Sequence, residues 1–144
     1  MSDNLSISLP GEINYTLFMK IIVIIAAGGA IGAVGRYVVT VGVGQWAGFG
    51  FPYGTMAVNI LGSFLLGALV EIMAFVWTPS EEIRVFLVVG VLGAFTTFST
   101  FSLDTVSLLQ RHELGLAALY VAGSVIVSVG GFLAGLSLLR QLLT

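Results

Sequence analysis

Four apolar segments, each long enough to cross a lipid bilayer, constrain this chain more than any other feature of its sequence. A membrane-spanning helix needs roughly 20 largely apolar residues, and residues 21–43, 54–77, 83–109 and 114–139 meet that requirement. Only 8% of the residues are charged, whereas soluble domains carry roughly a quarter. A soluble helical bundle would need polar outer faces, which these segments lack. The sequence therefore predicts an all-α membrane protein whose one domain, residues 19–144, contains four transmembrane helices.

The first eighteen residues differ in composition from the rest of the chain. Residues 1–18 are polar, contain no basic residue and are interrupted by Pro10 and Gly11. A secretory signal needs a positively charged start and a small-residue cleavage site after its apolar stretch, and neither is present. We expect residues 1–18 to form a disordered tail, which translation beginning at Met19 would omit.

The composition excludes several classes of function. The chain has no cysteine and a single histidine, His112, which excludes disulfides, thiolate chemistry and multi-histidine metal sites. A formal net charge of −2 is too small to indicate a nucleic-acid partner, and no nucleotide-binding loop is present. We expect a protein that is not an enzyme.

Basic residues give almost no signal for orientation in the membrane. With four spans, Lys20, Arg84 and Arg140 fall on one side, and Arg36 and Arg111 on the other. An excess of Lys and Arg on the cytoplasmic side normally fixes orientation, and three against two is nearly no excess. The chain is therefore predicted to insert in both directions and to pair as an inverted dimer. In the alternative, a partner or the insertion machinery fixes one orientation.

Two spans carry stripes of polar side chains at intervals of four residues, so that each stripe lies on one helix face. The stripes are Thr55, Asn59 and Ser63 in the second span, and Tyr120, Ser124 and Ser128 in the fourth. Such residues often hydrogen-bond between membrane helices, and the small-residue pairs Gly28 and Gly32, Gly62 and Gly67, and Gly131 and Gly135 also suit close packing. For the stripes alone we favour packing over function.

The third span contains a predicted break. Glycines are followed there by a run of Thr, Ser and Phe, residues that make a poor continuous helix. A break around residues 93–96 would free carbonyl oxygens near the middle of the membrane, which is tolerated only where the backbone is buried in protein or lines a cavity. Carbonyl oxygens freed in this way suit a small cation such as sodium.

After the break, aromatic and hydroxyl side chains form two parallel tracks. Phe98 and Phe101 share a helix face that Phe95 extends, and Ser99, Thr100 and Ser102 point elsewhere. Because an aromatic ring has a positive edge, a row of ring edges can hold an anion weakly, and weak binding at several sites is what conduction requires. The commoner use of this spacing is a phenylalanine stripe that packs on a neighbouring helix.

Three charged residues, Arg36, Glu71 and Asp104, lie within or near the spans. Arg36 either anchors a water-filled entrance or extends its charge to the membrane surface, and we favour the anchor. Asp104 either caps the hydroxyl track or marks the membrane surface. Glu71 lies near the end of the second span, where we expect it to be exposed.

The motif GAFTTFSTFS at residues 93–102 resembles the signature of the small bacterial fluoride channels, the family called CrcB or Fluc. The segments GAVGRY at residues 32–37 and GTMAVNILGSF at residues 54–64, together with the serine-bearing fourth span, agree with it in order and spacing. The resemblance covers the chain from about Lys20 to its C-terminus.

The resemblance implies an antiparallel, dual-topology homodimer with two fluoride pathways. It implies that Asn59 offers its amide to fluoride, and that Phe98 and Phe101 line the path with their ring edges. The remaining lining would come from Tyr120, Ser128, Ser99 and Thr100, with Thr55 in support. It further implies a structural sodium ion at the dimer centre, held by the backbone carbonyls of Gly93 and Thr96 from both subunits.

The function implied is passive export of fluoride across the bacterial inner membrane, which protects the cell against fluoride toxicity. One alternative is a proton-coupled antiporter similar to the small multidrug transporters, which also form four-span, dual-topology dimers. That mechanism needs a carboxylate deep in the first span, where the only ionisable interior group here is Arg36. A second alternative is a non-conducting scaffold subunit, for which packing explains every stripe.

Overall fold

The computed structural model describes residues 15–143, and these residues are helical apart from short connections. The helices are α1 (Tyr15–Ala47), α2 (Tyr53–Phe75), α3 (Glu81–Val85), α4 (Gly93–Phe95), α5 (Phe98–Gln110) and α6 (Leu114–Leu143), with a π-helical segment (Phe86–Leu92) between α3 and α4. The third span, Glu81–Gln110, comprises α3, the π-helical segment, α4 and α5. The prediction of an all-α chain with four helices able to span a membrane is confirmed.

The first helix is longer than the apolar pattern predicts. It begins at Tyr15 rather than near residue 21, so residues 15–18 of the predicted tail are helical. The rest of that tail, residues 1–14, lies outside the described residues. With 33 residues and a rise of 1.5 Å per residue, α1 is about 50 Å long, which exceeds the roughly 30 Å hydrocarbon core of a bilayer. One end of α1 therefore extends beyond the hydrocarbon.

The distribution of apolar side chains matches a protein surrounded by lipid. Large apolar residues are exposed around the outside of the helices, among them Val34 at 63% and Ile126 at 70%. Few apolar residues of the described chain are fully buried, among them Val58, Leu108 and Tyr120. A soluble domain would bury such side chains, whereas in a bilayer the hydrocarbon covers them.

Glycines set the close approach of α2 to α6. A side chain at Gly67 would collide with the carbonyl of Phe132, and one at Gly135 would collide with the carbonyl of Phe64. Small residues let membrane helices approach until their backbones touch. The predicted packing role of Gly67 and Gly135 is therefore confirmed.

Close contacts at glycines also join α1 to the third span. A side chain at Gly32 would collide with the carbonyl of Val91, and a Cβ atom at Gly90 would lie 2.9 Å from the Cα atom of Gly28. Gly90 lies in the π-helical segment, whose turns are wider than those of an α-helix. This wider turn therefore falls at the close contact between the two backbones.

The prediction that Glu71 is exposed is wrong. Its side chain is 2% exposed, and its carboxylate accepts hydrogen bonds from Arg140, at 2.6 Å from Nε and 3.4 Å from Nη2. The reason is the length of α6, which continues to Leu143 and so carries Arg140 alongside α2. Arg140 also lies over the ring of Phe75, 5.9 Å from its centroid.

Candidate functional site

The third span is interrupted at Thr96 and Thr97. Both residues have extended backbone, with φ and ψ of −83° and 159° for Thr96 and −154° and 125° for Thr97. The sequence places the break around residues 93–96, and the observed break begins at the last residue of that interval and extends one residue beyond it. Thr97 is the N-cap of α5, where its hydroxyl accepts a hydrogen bond from the backbone N–H of Thr100 at 3.2 Å. Threonine is a favoured N-cap because its oxygen satisfies a free N–H group at the helix start.

Asn59 of α2 completes the hydrogen bonding of the broken backbone. Its Nδ2 group donates to the carbonyl of Thr97 at 3.0 Å, and its Oδ1 atom accepts from the N–H of Thr97 at 2.7 Å. Irregular backbone inside a membrane must be satisfied within the protein, and one amide satisfies both groups of Thr97. The second hydrogen of Nδ2 is not used by this pair, so the Asn59 amide retains one donor.

The same interactions free the two carbonyls that the resemblance assigns to sodium. The helical donor for the Gly93 carbonyl would be the N–H of Thr97, which donates to Asn59 instead. The helical donor for the Thr96 carbonyl would be the N–H of Thr100, which donates to the Thr97 hydroxyl. Both carbonyl oxygens are therefore released from the helix. Carbonyl oxygens are hard ligands, so their chemistry fits a sodium ion.

A groove of about 370 Å³ runs along the break, between α2, the third span and α6. Six of the residues proposed for the fluoride pathway and the sodium site line it, which are Asn59, Gly93, Thr96, Phe98, Phe101 and Ser128. Three further polar residues line it, namely Ser63, Thr97 and Ser124. The groove therefore combines an amide, hydroxyl groups and aromatic rings, and no charged side chain of residues 15–143 lines it.

Two serines of α6, Ser124 and Ser128, differ from the hydroxyl residues Ser102 and Thr105 of α5. Ser102 and Thr105 donate to the carbonyls four residues before them, at 2.9 Å and 2.8 Å. In contrast, the hydroxyls of Ser124 and Ser128 are buried and have no hydrogen-bond partner in the described chain. Leaving a buried hydroxyl unpaired is costly. Both line the groove, so they are available to a ligand within it.

Aromatic rings form a continuous line from the groove toward the loop after α1. The ring centroids of Phe98 and Phe101 are 5.4 Å apart, those of Phe101 and Tyr120 are 5.3 Å apart, and those of Tyr120 and Phe51 are 5.6 Å apart. Phe98 is 77% exposed at one end of the line, whereas Tyr120 is completely buried. Phe95 does not extend the line as predicted, because its ring packs against Gly62 and Gly35 between α1 and α2.

A second cavity, of about 290 Å³, lies near the loop after α1. Its lining includes the predicted residues Thr55 and Asp104, together with Thr40, Ser107 and Arg111. The Tyr120 hydroxyl donates to Oδ2 of Asp104 at 3.2 Å. The predicted pathway residue Tyr120 lines neither space. It lies between residues of the two, because its ring contacts Phe101 of the first groove and its hydroxyl contacts Asp104 of the second cavity.

Ser99, Thr100 and Arg36 stand outside these two spaces. The Thr97 hydroxyl lies 3.1 Å from the Ser99 hydroxyl and 3.1 Å from the Thr100 hydroxyl, so the hydroxyl track gathers around Thr97. Arg36 is half-buried on α1 and makes no hydrogen bond or ion pair with any residue from 15 to 143. Its predicted anchoring role stays a prediction.

Sequence reasoning missed Thr97 and did not select Ser124 as a site residue. Thr97 is 8% exposed and organises the break through its backbone and its hydroxyl. A signal for it exists, since a threonine directly after a helix break is a favoured N-cap for the next helix. Ser124 lies in the polar stripe of the fourth span, but the spacing of a stripe does not reveal which of its hydroxyls lack partners.

Comparison with known proteins gives concordant matches. Residues 23–136 match the family described as "CrcB-like protein, Camphor Resistance (CrcB)". The chain is 55% identical over 122 residues to a protein of Rhodospirillum centenum named fluoride-specific ion channel FluC, a match that covers 85% of this chain and 97% of that protein. It is 56% identical over 121 residues to the protein of that name from Agrobacterium fabrum, with 84% and 97% covered. The corresponding protein of Nitrobacter winogradskyi is 49% identical over 119 residues, with 83% and 94% covered.

Proposed function

This chain belongs to the CrcB-like family, and from that premise we propose that it is a fluoride channel that exports cytoplasmic fluoride passively across the membrane. Its curated relatives are named fluoride-specific ion channels. The protein is a multi-pass membrane protein and a channel rather than an enzyme. We propose the bacterial inner membrane as its location, since the relatives come from bacteria.

The observation that carries the proposal is the groove along the broken third span. It offers a small anion one amide donor from Asn59, two unpartnered hydroxyls from Ser124 and Ser128, and the rings of Phe98 and Phe101. None of these groups carries a full charge. Conduction requires binding that is favourable enough for entry and weak enough for release, and neutral donors with ring edges meet that requirement. Packing alone does not account for buried hydroxyls without partners.

The driving force for export is the membrane potential. Undissociated hydrogen fluoride crosses a membrane, ionises in the more alkaline cytoplasm and is trapped there as the anion. With the inside negative, the exit of each fluoride ion releases about 2.3 kcal/mol of free energy per 100 mV of membrane potential. A passive pathway therefore suffices to lower cytoplasmic fluoride without ATP, and it protects the cell from fluoride.

The working unit of the proposal is an inverted homodimer. Phe98, which we propose to line the path, is 77% exposed on the single chain, so one subunit does not enclose the pathway. The nearly balanced basic residues on the two sides of the membrane support insertion in both orientations. A second copy packed in the opposite sense would cover this face and supply two equivalent pathways.

Sodium is proposed as a structural ion between the two subunits. The carbonyl oxygens of Gly93 and Thr96 would hold it, because each has lost its helical donor to Asn59 or Thr97. Within residues 15–143, no cluster of three or more His, Asp or Glu side chains suits a metal ion, so the fit rests on backbone oxygens. When bound, the ion would add positive potential near the anion pathways.

The antiporter alternative finds little support in the described helices. A proton-coupled exchanger needs a carboxylate deep in its first span, and α1 contains no Asp or Glu. The buried carboxylate of the bundle, Glu71, lies in α2 and is held by Arg140. That pairing gives Glu71 a structural partner rather than an exchangeable cationic substrate.

The test of the proposed function is ion efflux from liposomes that contain the purified protein and an imposed potassium gradient. With valinomycin present, we expect rapid fluoride efflux and no chloride efflux. Efflux of neither ion, or equal efflux of both, would contradict the proposal. Cross-linking of single-cysteine variants at Gly93 tests the dimer contact, because the native chain has no cysteine. A dimer cross-linked through Gly93 of both subunits is expected.

A further inference from the structure

The loop of residues 48–52, between α1 and α2, is fixed at several points. Gly48 has a φ of +88°, a conformation that glycine adopts without strain. The ring of Phe49 lies over Gly44 so closely that a side chain there would collide with it. The carbonyl of Gly50 accepts hydrogen bonds from both Nη1 and Nη2 of Arg111, each at 3.2 Å. A loop with this many restraints has a defined conformation.

The next residue of the loop, Phe51, contacts the aromatic line of the site. Its ring meets the ring of Tyr120 edge-on, with centroids 5.6 Å apart and planes at 90°. Edge-on contact between aromatic rings is favourable in itself. The Tyr120 ring therefore has Phe101 as one neighbour and Phe51 as another, while its hydroxyl is bonded to Asp104.

The loop also forms part of the wall of the second cavity, of about 290 Å³. Opposite the loop, the lining includes the polar residues Thr40, Thr55, Ser107 and Asp104. Hydroxyl and carboxylate groups on its wall make this cavity suitable for water. The loop therefore bounds a polar cavity that lies beside Tyr120.

We propose that Arg111 is a positioning residue of the fluoride pathway, and that residues 48–52 form a fixed wall at its mouth. By binding the Gly50 carbonyl, Arg111 holds Phe51 against Tyr120 and so holds the Tyr120 ring between groove and cavity. This inference rests on the proposed fluoride channel function. Arg111 does not touch the ion; it acts through the loop.

The competing role for Arg111 is an ordinary ion pair with Glu113, at 2.8 Å. Half-exposed pairs of this kind contribute little to stability. The two hydrogen bonds to Gly50 differ because they join residues 61 positions apart and tie the loop to the C-terminal end of the third span. A pair confined to residues 111 and 113 cannot transmit an effect to Phe51.

The hydrogen bonds from Arg111 to the Gly50 carbonyl are called the latch below. The experiment uses the full-length protein in liposomes and two variants of Arg111. Arg111→Ala removes the hydrogen bonds, and Arg111→Lys retains a charged donor. Arg84→Ala is the matched control, because it removes an exposed arginine from the other side of the membrane. Phe51→Leu keeps the latch but removes the ring, and it provides a second route should Arg111→Ala fail to fold.

Two readouts separate a positioning role from a structural one. The first is the rate of fluoride efflux relative to the unsubstituted protein. The second is the rate at which a charged methanethiosulfonate reagent modifies Ser107→Cys, the sole thiol in a chain without cysteine, which reports access to the cavity without any need for fluoride. Retention of the native elution volume on size exclusion shows that each variant is folded.

In Arg111→Ala and in Phe51→Leu, we expect both rates to change by roughly threefold to tenfold, about the effect of losing one charge-assisted hydrogen bond or aromatic contact. Arg111→Lys should recover most of the efflux, and Arg84→Ala should change neither rate. Unchanged efflux and unchanged thiol access in folded Arg111→Ala and Phe51→Leu would overturn the proposal. Absence of fluoride efflux in the unsubstituted protein would instead overturn the proposed function, and the thiol readout would still test the latch.

Discussion

Asn59→Ala is the substitution that tests the broken span most sharply. It removes the donor 3.0 Å from the Thr97 carbonyl and the acceptor 2.7 Å from the Thr97 N–H. Thr97 is 8% exposed, so both of its backbone groups would lose their partners in a nearly buried site. Each unsatisfied group costs about 1–3 kcal/mol. Water entering the groove of about 370 Å³ would offset part of that cost, which leaves an expected loss of about 2–4 kcal/mol.

Asn59→Asp separates hydrogen bonding from charge at the same position. The carboxylate still accepts from the Thr97 N–H, but it donates nothing to the Thr97 carbonyl and places a charged oxygen beside it in a part-buried site. We therefore expect a loss of stability at least as large as that of Asn59→Ala. The negative charge of the carboxylate would repel fluoride. Two charges 4 Å apart interact by about 4 kcal/mol at an effective dielectric constant of about 20, equivalent to a slowing of roughly a thousandfold without screening. We expect the efflux rate to fall by at least roughly tenfold after screening by water in the groove.

The assays are thermal unfolding in detergent and fluoride efflux from liposomes, and Ser63→Ala is the matched control. Ser63 lies one turn from Asn59 in the same stripe and lines the same groove, but within residues 15–143 it makes no hydrogen bond with Thr97. The control should unfold within about 0.5 kcal/mol of the unsubstituted protein. If Asn59→Ala is as stable as Ser63→Ala and conducts fluoride at the native rate, the account of the break is wrong.

Three further predictions concern other parts of the bundle. Ser128→Ala removes a buried hydroxyl that has no partner, so its stability should stay within about 0.5 kcal/mol of the native value while fluoride efflux falls; a clear drop in unfolding temperature would indicate a packing role instead. Gly32→Ala should lower the free energy of unfolding by about 1–3 kcal/mol because the new methyl group collides with the Val91 carbonyl. Its control is Gly42→Ala, where the methyl group faces open space and the stability should be unchanged or increased in the same unfolding assay. Arg140→Ala should lower the unfolding temperature more than Glu71→Ala does, because it leaves a 2% exposed carboxylate without its cation; the reverse order would show that the buried charge is compensated elsewhere.

Span number and helical class were predictable from the sequence because they depend on composition and length alone. About 20 apolar residues suffice to identify a span, and all four segments form helices able to cross a membrane. The ends of the spans were less predictable. α1 begins at Tyr15, before the predicted start at residue 21, and α6 continues past residue 139 to Leu143, because a helix extends beyond the hydrocarbon as long as its backbone bonds are satisfied.

The candidate site was predictable where periodicity places residues on one face. Asn59, Phe98, Phe101 and Ser128 come from three spans and line one groove. The partners of these residues were not predictable, since they depend on how the helices cross. Nothing in the spacing indicates that the Asn59 amide binds the backbone of Thr97.

Long-range polar pairs were the main failure of the sequence analysis. Glu71 and Arg140 are separated by 69 positions, and their pairing requires α2 and α6 to be antiparallel neighbours in a particular register. The latch from Arg111 to Gly50 has the same origin. Helix register is set by glycine contacts such as that of Gly67 with Phe132, which a single sequence does not reveal.

The most direct test of the central claim is fluoride efflux through the pathway formed by the aromatic line. Fluoride and chloride efflux would be measured in the same liposomes for the unsubstituted protein, for Phe101→Ile and for Phe18→Ile, the last removing an exposed ring from α1. For the unsubstituted protein we expect fluoride efflux without chloride efflux. Phe101→Ile should lose most of the fluoride efflux, and Phe18→Ile should conduct fluoride at the native rate. Fluoride efflux no faster than in protein-free liposomes, or equal fluoride efflux in all three proteins, would contradict the proposed pathway.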